Sequence, residues 1–489
     1  MGRNTKPKAR FSDKYAVNPS FLAAGRYGTE EMCKIWGPEK TFEYSLFVQA
    51  KSALILSKLY PKIVSPSEAK LICKVANLKY INPDLIREIE NKTNHDIIAI
   101  NTALEKTLIK NFGAKGKKAA AHINKAKTSA DTTQPAKALQ LKDSIRVIIN
   151  STENLRDILI EKAIEWKNIP HMDCSHLYDA LPTVSGRALM HYVEMLQSGL
   201  NNLKYVYQNS IIGKWGDATG NHHSAKALGI DGIKLQKELC NNLKMSFMDA
   251  SAQVPGLEFE ADISYALSRI SETINNIARY IAWGRSDDVN IFINANPKKK
   301  KGSSAMPHKD SKNGNPIIEE QFMSITNYLR GNLMTSLCNC EMPYARNLAA
   351  SSNSRINFED GFKYLDHGIR MMAEVIYWLE INKERSVERV NRSFSVVTSQ
   401  QVMTYLTDKR RTKNPLTRAE AHDLMGKLAT KAWNEKKDFF EVLKLDETVK
   451  SRLDKKTLKE ITDAQKYIGE SKRIIDIIFR KYYKMKTLD

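Results

Sequence analysis

The chain has 489 residues, 42% of them hydrophobic and 27% charged, and its formal net charge is +21. This composition is ordinary for a soluble globular protein and argues against a wholly disordered chain, and the length favours two or three domains. No apolar run approaches the roughly 20 residues that a membrane-spanning helix needs. The basic N-terminus does not have the pattern of a secretory signal, and the six scattered cysteines include no CxxC pair. We therefore expect a cytoplasmic protein with free thiols and no membrane contact.

The net positive charge leaves two classes of partner open. A nucleic-acid binder and an enzyme with an anionic substrate would both be basic. The lysines are densest at 115–127, 298–301 and 409–413, and none of these stretches is interleaved with an aromatic platform. We therefore expect a solvated lysine-rich surface and a small anionic metabolite, with nucleic acid an unlikely partner.

Helical periodicity dominates the chain from its N-terminal part onward, and strand signals are scarce. An N-terminal helical domain is predicted over 1–127, with a flexible loop at 113–118, and Thr128, Ser129 and Asp131 are placed to cap the helix that follows. A central domain of long helices is predicted over 128–381, because few prolines interrupt its apolar positions. Its clearest stripe consists of Ile263, Ala266, Leu267, Ile270, Ile274, Ile277 and Ile281.

The central domain also contains a long polar loop, 294–315, of a length that usually indicates function. A C-terminal helical domain is predicted over 382–489, where Thr417 and Glu420 have the spacing of a capping box. The fold class is therefore all-α, with three domains around a central bundle of long helices.

Residues 302–309, Gly-Ser-Ser-Ala-Met-Pro-His-Lys, form the most informative segment of the polar loop. Successive backbone amides in such a turn can converge on an anion, and Lys309 adds a point charge. The segment therefore suits a carboxylate that gains negative charge in a reaction. The alternative is a solvated lysine-rich turn, since four lysines lead into it at 298–301.

Further short motifs follow one another along the chain. In order they are Arg26-Tyr27 with Glu31-Met32 and Ile35-Trp36, Thr93–Ile97, Thr128–Asp131, Ser175-His176 with Pro182-Thr183 and Gly186, Gly213-Lys214 with Gly216 and Gly220-Asn221, then Gln253, and Ser351 with Arg355. Together with 302–309, they resemble the fumarase/aspartase superfamily and, within it, the adenylosuccinate lyases, to which His308 is also similar. The resemblance covers roughly residues 25 to 480.

The resemblance implies an all-α homotetramer whose active sites are each assembled from three subunits, without a metal or an organic cofactor. It also implies a β-elimination that releases fumarate from a succinyl-amine nucleotide of purine biosynthesis. The implied base is Ser303 and the implied general acid is His176, with Glu320 orienting the imidazolium. His95 would lie near the substrate phosphate or assist proton transfer, and Lys309 would stabilise the ionised serine.

The same resemblance implies the substrate-binding residues. A nucleotide phosphate would be held by Arg26 with Tyr27 and by Ser351 with Arg355, while Thr128, Ser129 and Lys309 would receive the succinyl carboxylates. Gln253 would bind a polar edge of the substrate. The remaining matched positions expected to contact the substrate are Asp96, Ser304, Met306 and Asn315.

Two departures from the superfamily pattern affect these expectations. Four extra residues separate Lys309 from Asn315, and they either lengthen the loop harmlessly or displace Asn315 and Glu320 from Ser303. Tyr178 and Asp179 also differ from the usual residues beside the motif histidine. Two alternatives stay open: another fumarate-releasing lyase, such as an argininosuccinate lyase, or a catalytically silent basic scaffold that binds nucleic acid.

Overall fold

The computed structural model describes residues 27–297, 304–309, 314–342 and 346–488. Helices account for most of these residues, and the only sheets among them are two short two-stranded pairs, so the all-α prediction is confirmed. None of the described helices is both long enough and apolar enough to cross a membrane.

The N-terminal part is a set of short and medium helices packed around their own apolar cluster. The helices are α1 (Glu30–Ile35), α2 (Pro38–Leu59), α3 (Pro66–Val75), α4 (Pro83–Thr93) and α5 (Asp96–Ala120). The cluster joins one face of α2 to α3, α4 and α5 through side chains such as Leu46, Ile72 and Ile86.

Of the predicted loop at 113–118, only a sharp break at Gly113 is present, where two helical segments of α5 meet. Gly113 alone leaves helical geometry, at φ 54°, and the helix resumes immediately afterwards. Gly116 is buried against the backbone of Leu108, where an added Cβ would lie 2.1 Å from the carbonyl oxygen. A glycine pair therefore allows a kink and a close return of the chain.

The centre of the molecule is a bundle of long helices, as predicted. Its helices are α6 (Ala130–Glu165), α7 (Arg187–Asn209), α10 (Glu258–Arg285), α11 (Ile317–Cys338) and α12 (Ala349–Tyr377), with α8 (His223–Ala227) and α9 (Gly232–Leu243) between α7 and α10. The predicted stripe on α10 is buried along its whole length. Gly199 of α7 lets Ile270 of α10 approach closely, because a Cβ there would lie 2.5 Å from the Ile270 Cδ1.

Two antiparallel strand pairs flank the bundle. Strands β1 (Pro170–Ser175) and β2 (Tyr178–Val184) form a hairpin in which Ser175 pairs with Tyr178, leaving a two-residue turn. Strands β3 (Phe292–Asn294) and β4 (Leu379–Ile381) pair near the end of α10.

The C-terminal part has a separate apolar cluster within 396–461. Its helices are α13 (Lys383–Asn391), α14 (Ser399–Thr407), α15 (Arg418–Glu435), α16 (Phe439–Leu443), α17 (Glu447–Lys450) and α18 (Lys455–Ile461). The capping box at the start of α15 is confirmed: Thr417 accepts a bond from the Glu420 amide, and Glu420 accepts one from the Thr417 amide. The last helix, α19 (Ser471–Tyr482), packs back onto the central cluster through Ile475 and Ile478. The domain boundaries at 127 and 381 stay a prediction.

A buried ion pair fixes the start of α6. Asp131 and Lys214 are both fully buried, with the Lys214 Nζ 2.5 Å from the Asp131 Oδ1. The amides of Thr128, Gly216 and Asp217 also donate to the Asp131 carboxylate, at 2.8, 2.8 and 2.9 Å. One carboxylate therefore joins the Thr128-Ser129 motif to the Gly213-Lys214 motif.

Lys127 is buried beside this pair. Its ammonium donates to the Gln49 Oε1 at 2.8 Å, the Ser52 Oγ at 3.1 Å and the Thr132 Oγ1 at 3.3 Å. Burial lowers the pKa of Lys127 to about 7, and the nearby Asp131 charge opposes this only in part. A titratable ammonium thus adjoins the Thr128-Ser129 turn.

Breaking the Asp131–Lys214 pair should destabilise the fold strongly. Lys214→Met leaves Asp131 buried without its counter-charge, which typically costs about 3–5 kcal/mol. Urea unfolding would measure the loss. Lys34→Met, which removes an exposed pair with Glu30, is the control and should change the free energy of unfolding by at most about 1 kcal/mol. A loss for Lys214→Met no larger than the control's would contradict this account.

The buried Lys127 also predicts a pH dependence of stability. Between pH of about 7 and 10.5 the unfolded chain holds this proton and the folded chain does not, so the free energy of unfolding rises with pH. The contribution approaches about 1.4 kcal/mol per pH unit inside that window. Urea unfolding at several pH values should show this rise in the wild type and in the control Lys117→Met, and a smaller rise in Lys127→Met. Equal slopes in all three would contradict the assignment.

Candidate functional site

A cavity of about 320 Å³ lies where the N-terminal helices meet the bundle. Side chains from α2, α5, α6, α10 and α12 line it. Three of the predicted substrate-binding residues are among them: Asp96, Ser351 and Arg355. The fold thus brings residues from two distant motifs to one concave surface.

Ser351 and Arg355 lie one turn apart near the start of α12, on the face expected from their spacing. Arg355 is close to Glu90, whose pKa is raised by burial and by the Asp96 charge, with Arg355 and His95 opposing the rise. The four ionisable side chains are therefore near neighbours. His95 caps the start of α5, where its Nδ1 accepts a bond from the Ile98 amide and lies 3.3 Å from the Asp96 Oδ1.

Gln253 is held at the cavity by a residue that sequence reasoning missed. The Arg346 Nη1 donates to the Gln253 Oε1 at 3.0 Å, and Arg346 itself lines the cavity. Arg346 precedes Ser351 by five residues and Arg355 by nine, so the basic residues that flank the start of α12 were a usable signal.

Lys137, Glu260 and Ser354 form a closed polar triad in the cavity wall, which sequence reasoning also missed. The Lys137 Nζ lies 2.6 Å from both the Glu260 Oε1 and the Ser354 Oγ, and the Ser354 hydroxyl donates to the Glu260 Oε2 at 2.7 Å. The ammonium also lies 5.3 Å from the centre of the Phe358 ring. Glu260 and Ser354 are buried, so a fixed cation–carboxylate pair faces any ligand in this cavity.

Thr128, Ser129 and Tyr27 were also predicted to bind the substrate, but they are not among the residues that line this cavity. Thr128 and Ser129 form the turn held by Asp131 at the start of α6. The Tyr27 ring packs on Tyr364 and His367, and Tyr364 is 13 residues along α12 from Ser351, or about 20 Å of helix. Arg26 lies outside the described residues.

The signature segment is described from Ser304 onward, and Ser303 lies outside the described residues. Ser304 and Met306 are exposed, and Pro307–Lys309 forms one turn of 3-10 helix. The Lys309 Nζ donates to the Asn315 Oδ1 at 3.2 Å. The four-residue insertion therefore leaves these two signature residues in contact.

Glu319 and Glu320 follow the signature at the start of α11 and differ sharply in their environment. Glu319 is buried, and its Oε1 lies 2.5 Å from the Nη1 of Arg285, which is the last residue of α10. Glu320, the residue predicted to orient the acid, is exposed. The buried neighbour anchors α11, which leaves Glu320 available at the surface.

His176 occupies the tip of the β1–β2 hairpin and is exposed. Both turn residues have left-handed backbone geometry, with φ 53° at His176 and 69° at Leu177. Left-handed geometry at both central positions is the mark of a type I′ turn, in which asparagine and glycine are the usual residues. The strand pair thus places His176 on an exposed two-residue turn.

The cavity and the signature segment lie at opposite ends of α10. Glu260, in the first turn, belongs to the cavity wall, whereas Arg285, the last residue, binds Glu319 beyond the signature. The 25 residues between them span about 38 Å of helix. Among the described residues, no group of His, Cys, Asp and Glu side chains is placed to hold a metal ion.

Family models and curated relatives show what the chain is similar to. A family model described as lyase matches residues 25–328, and a second, described as adenylosuccinate lyase C-terminus, matches residues 395–478. The chain is 28% identical over 469 residues to the adenylosuccinate lyase of Methanocaldococcus jannaschii, covering 96% of both chains. It is 26% identical over 451 residues to that of Pyrococcus abyssi, covering 92% of this chain and 95% of the relative.

Solved structures share the fold. A fumarate lyase from Mesorhizobium superposes with a TM-score of 0.76 at 18% identity, over 93% of this chain and 99% of the other. The 3-carboxy-cis,cis-muconate lactonizing enzyme from Pseudomonas putida gives 0.77 at 17% identity, over 96% and 99%. With the lyase model matching well over half of its length, the chain belongs to the lyase family.

Proposed function

We propose that this chain is an adenylosuccinate lyase, which cleaves adenylosuccinate to AMP and fumarate and also releases fumarate from succinyl-aminoimidazole-carboxamide ribotide. The curated relatives carry that name, and the second family model is specific to it. The observation that carries the proposal is the cavity, which brings cationic Arg346, Arg355 and Lys137 together with Ser351, and whose Arg346 donates a bond to Gln253. Its volume is at the lower end of the roughly 300–1,000 Å³ typical of small-molecule sites.

The proposed chemistry moves one proton onto the protein and another off it. Ser303 takes a proton from the carbon next to a succinyl carboxylate, and the resulting negative charge is stabilised by the Ser304 region and Lys309. The C–N bond then breaks as His176 protonates the departing nitrogen, and Glu320 orients the imidazolium. Thr128 and Ser129 receive the succinyl carboxylates, while Ser351 and Arg355 bind the phosphate.

The active site is proposed to be assembled from several copies of the chain in a homotetramer. A general acid must come within about 2.6–3.2 Å of the atom that it protonates. The cavity and the signature segment of one chain are separated by about 38 Å along α10. Two ends of such a helix can meet at one substrate only if another copy supplies one of them.

A cytoplasmic location is proposed from the cysteines. All six are free thiols, which is typical of proteins in a reducing compartment.

Release of fumarate tests the activity. We expect steady-state turnover with adenylosuccinate and with succinyl-aminoimidazole-carboxamide ribotide, and none with argininosuccinate. Fumarate appearing only from argininosuccinate would contradict the assignment. Salt-sensitive RNA or DNA binding without any turnover would favour the silent scaffold instead.

Mixing two inactive variants tests the shared site. Ser303→Ala and His176→Ala should each lower kcat by about 10²–10⁴-fold, because each removes one proton-transfer group. If the two residues of one site come from different chains, a 1:1 mixture refolded together should regain about a quarter of the wild-type rate. Half of the sites receive a native Ser303 and, independently, half receive a native His176, so about a quarter contain both. Refolding each variant alone is the control. A mixture as inactive as its parts would contradict the shared site.

Because the polar triad lines the cavity, removing its cation should weaken substrate binding. Lys137→Met removes a cation from the cavity wall, so KM for adenylosuccinate should rise about tenfold while kcat changes little. The double variant Lys137→Met with Glu260→Gln avoids an unpaired buried carboxylate, so it should recover thermal stability without recovering KM. Lys162→Met, on the same helix but paired with Glu165, is the matched control. An unchanged KM in both Lys137 variants would exclude a binding role.

A further inference from the structure

Several contacts anchor the hairpin that carries His176, among them the buried packing of Met172 against Val390 and Ala464. Its base is held by the Ser386 hydroxyl, which donates to the Pro170 carbonyl at 2.6 Å, and by the Thr183 and Ser471 hydroxyls, 2.8 Å apart. Both contacts lie at the far end of the strands from the turn. An isolated two-stranded hairpin is marginally stable, so the base alone does not fix the tip.

Asp179 is the anchor next to the tip. It lies on β2, paired across the hairpin with Cys174, and is three residues from His176. Its Oδ1 accepts a bond from the Arg389 Nη2 at 2.8 Å. Its Oδ2 accepts bonds from the Arg392 Nε at 3.0 Å and the Arg392 Nη2 at 2.6 Å. Both arginines belong to α13 and its C-terminal cap.

In this contact, called the Asp179 clamp below, the carboxylate of Asp179 and the guanidinium groups of Arg389 and Arg392 stabilise one another's charges. Burial alone would raise the pKa of the Asp179 carboxyl, but hydrogen bonds and charge from Arg392 and Arg389 outweigh it and lower the pKa below 3.8. Arg389 is 5% exposed and its guanidinium lies 5.5 Å from the centre of the Trp283 ring. Its Nε and Nη1 have no hydrogen-bond partner among the described residues. Its Nη2 forms the ion pair with Asp179.

The tip itself is held in an unfavourable geometry. Neither His176 nor Leu177 is a glycine, yet both have left-handed φ, and Leu177 and Tyr178 are 91% and 81% exposed. Strained backbone persists only where the surroundings over-determine it. A bulge between Asp173 and Cys174 weakens the ladder just before the turn, which leaves the Asp179 clamp to fix the last part of the hairpin.

We propose that Asp179 is a positioning residue for the elimination, which clamps the hairpin tip to Arg389 and Arg392 of α13 and thereby fixes where His176 presents its proton. The inference rests on the proposed function, because it takes His176 as the general acid. It gives the C-terminal part of the chain a role in the active site without direct contact with the substrate. Sequence reasoning noted Asp179 only as a departure from the superfamily pattern.

The test compares Asp179→Asn, Arg392→Gln and the double variant in the full chain. A misplacement of about 1 Å can cost 10²-fold in rate, so kcat with adenylosuccinate should fall roughly 10- to 100-fold in Asp179→Asn, with KM within about twofold of wild type. Arg392→Gln, at a half-exposed position, should lower kcat several-fold and leave the thermal unfolding midpoint unchanged. The double variant should lose no more than Asp179→Asn, because both residues act through one contact.

Two further measurements separate positioning from folding. Amide hydrogen exchange in 174–180 should become faster in Asp179→Asn, whereas exchange at His171, Met172, Thr183 and Val184 should stay slow. Asp179→Glu, which keeps the charge, should recover part of the lost kcat. Asp408→Asn is the matched control, since Asp408 also pairs with an arginine, Arg410, on the surface of the C-terminal part, and it should leave kcat unchanged.

The outcomes are distinct. Normal kcat in Asp179→Asn and Arg392→Gln, with an active wild type, would overturn the clamp whatever the exchange rates. Loss of kcat with equal loss of folded protein in both variants would reduce Asp179 to a structural residue and would also overturn it. A wild-type chain that releases no fumarate would remove the proposed function, and the positioning role with it, even if hairpin exchange still responded to Asp179→Asn.

Discussion

The burial of the long helix α10 is the constraint on which the other features depend. Its apolar stripe contacts the rest of the bundle along the whole helix, so neither end can move toward the other without breaking the core. One end supplies Glu260 to the cavity and the other supplies Arg285 to the helix that follows the signature. The rigidity that stabilises the bundle therefore also keeps the cavity apart from the signature segment, and the proposed active site needs a second copy of the chain to bring the two together.

Charge pairs with at least one buried member occur at the junctions between motifs and helices. Asp131–Lys214 holds the turn before α6, Glu319–Arg285 holds the start of α11, and Glu260–Lys137 lies in the cavity wall. Burying such pairs is a poor way to gain stability, because desolvation offsets most of the attraction. Their value here is geometric, since each fixes one polar segment against a helix whose apolar packing alone would tolerate small shifts.

The sequence predicted the helical class, the long central helices and the α15 capping box, because periodicity and capping are local properties. At 113–118 it placed a break correctly but predicted a flexible loop, whereas two helical segments meet at Gly113 and Gly116 is buried. The cavity residues Asp96, Ser351 and Arg355 could be proposed from motifs. Lys137, Glu260 and Ser354 could not, because 94 to 217 residues separate the members and no local pattern records their contact.

The departure at Asp179 shows how a change at a functional motif can be understood only with its partner. Taken alone, an aspartate beside the motif histidine puts a substrate contact in doubt. In the fold its carboxylate binds two arginines that lie more than 200 residues later in the sequence. If His176 is the general acid, as proposed, its placement on this exposed turn depends on the contact nearest the tip. Asp179 makes that contact with Arg389 of α13 and with Arg392 at the C-terminal cap of the same helix.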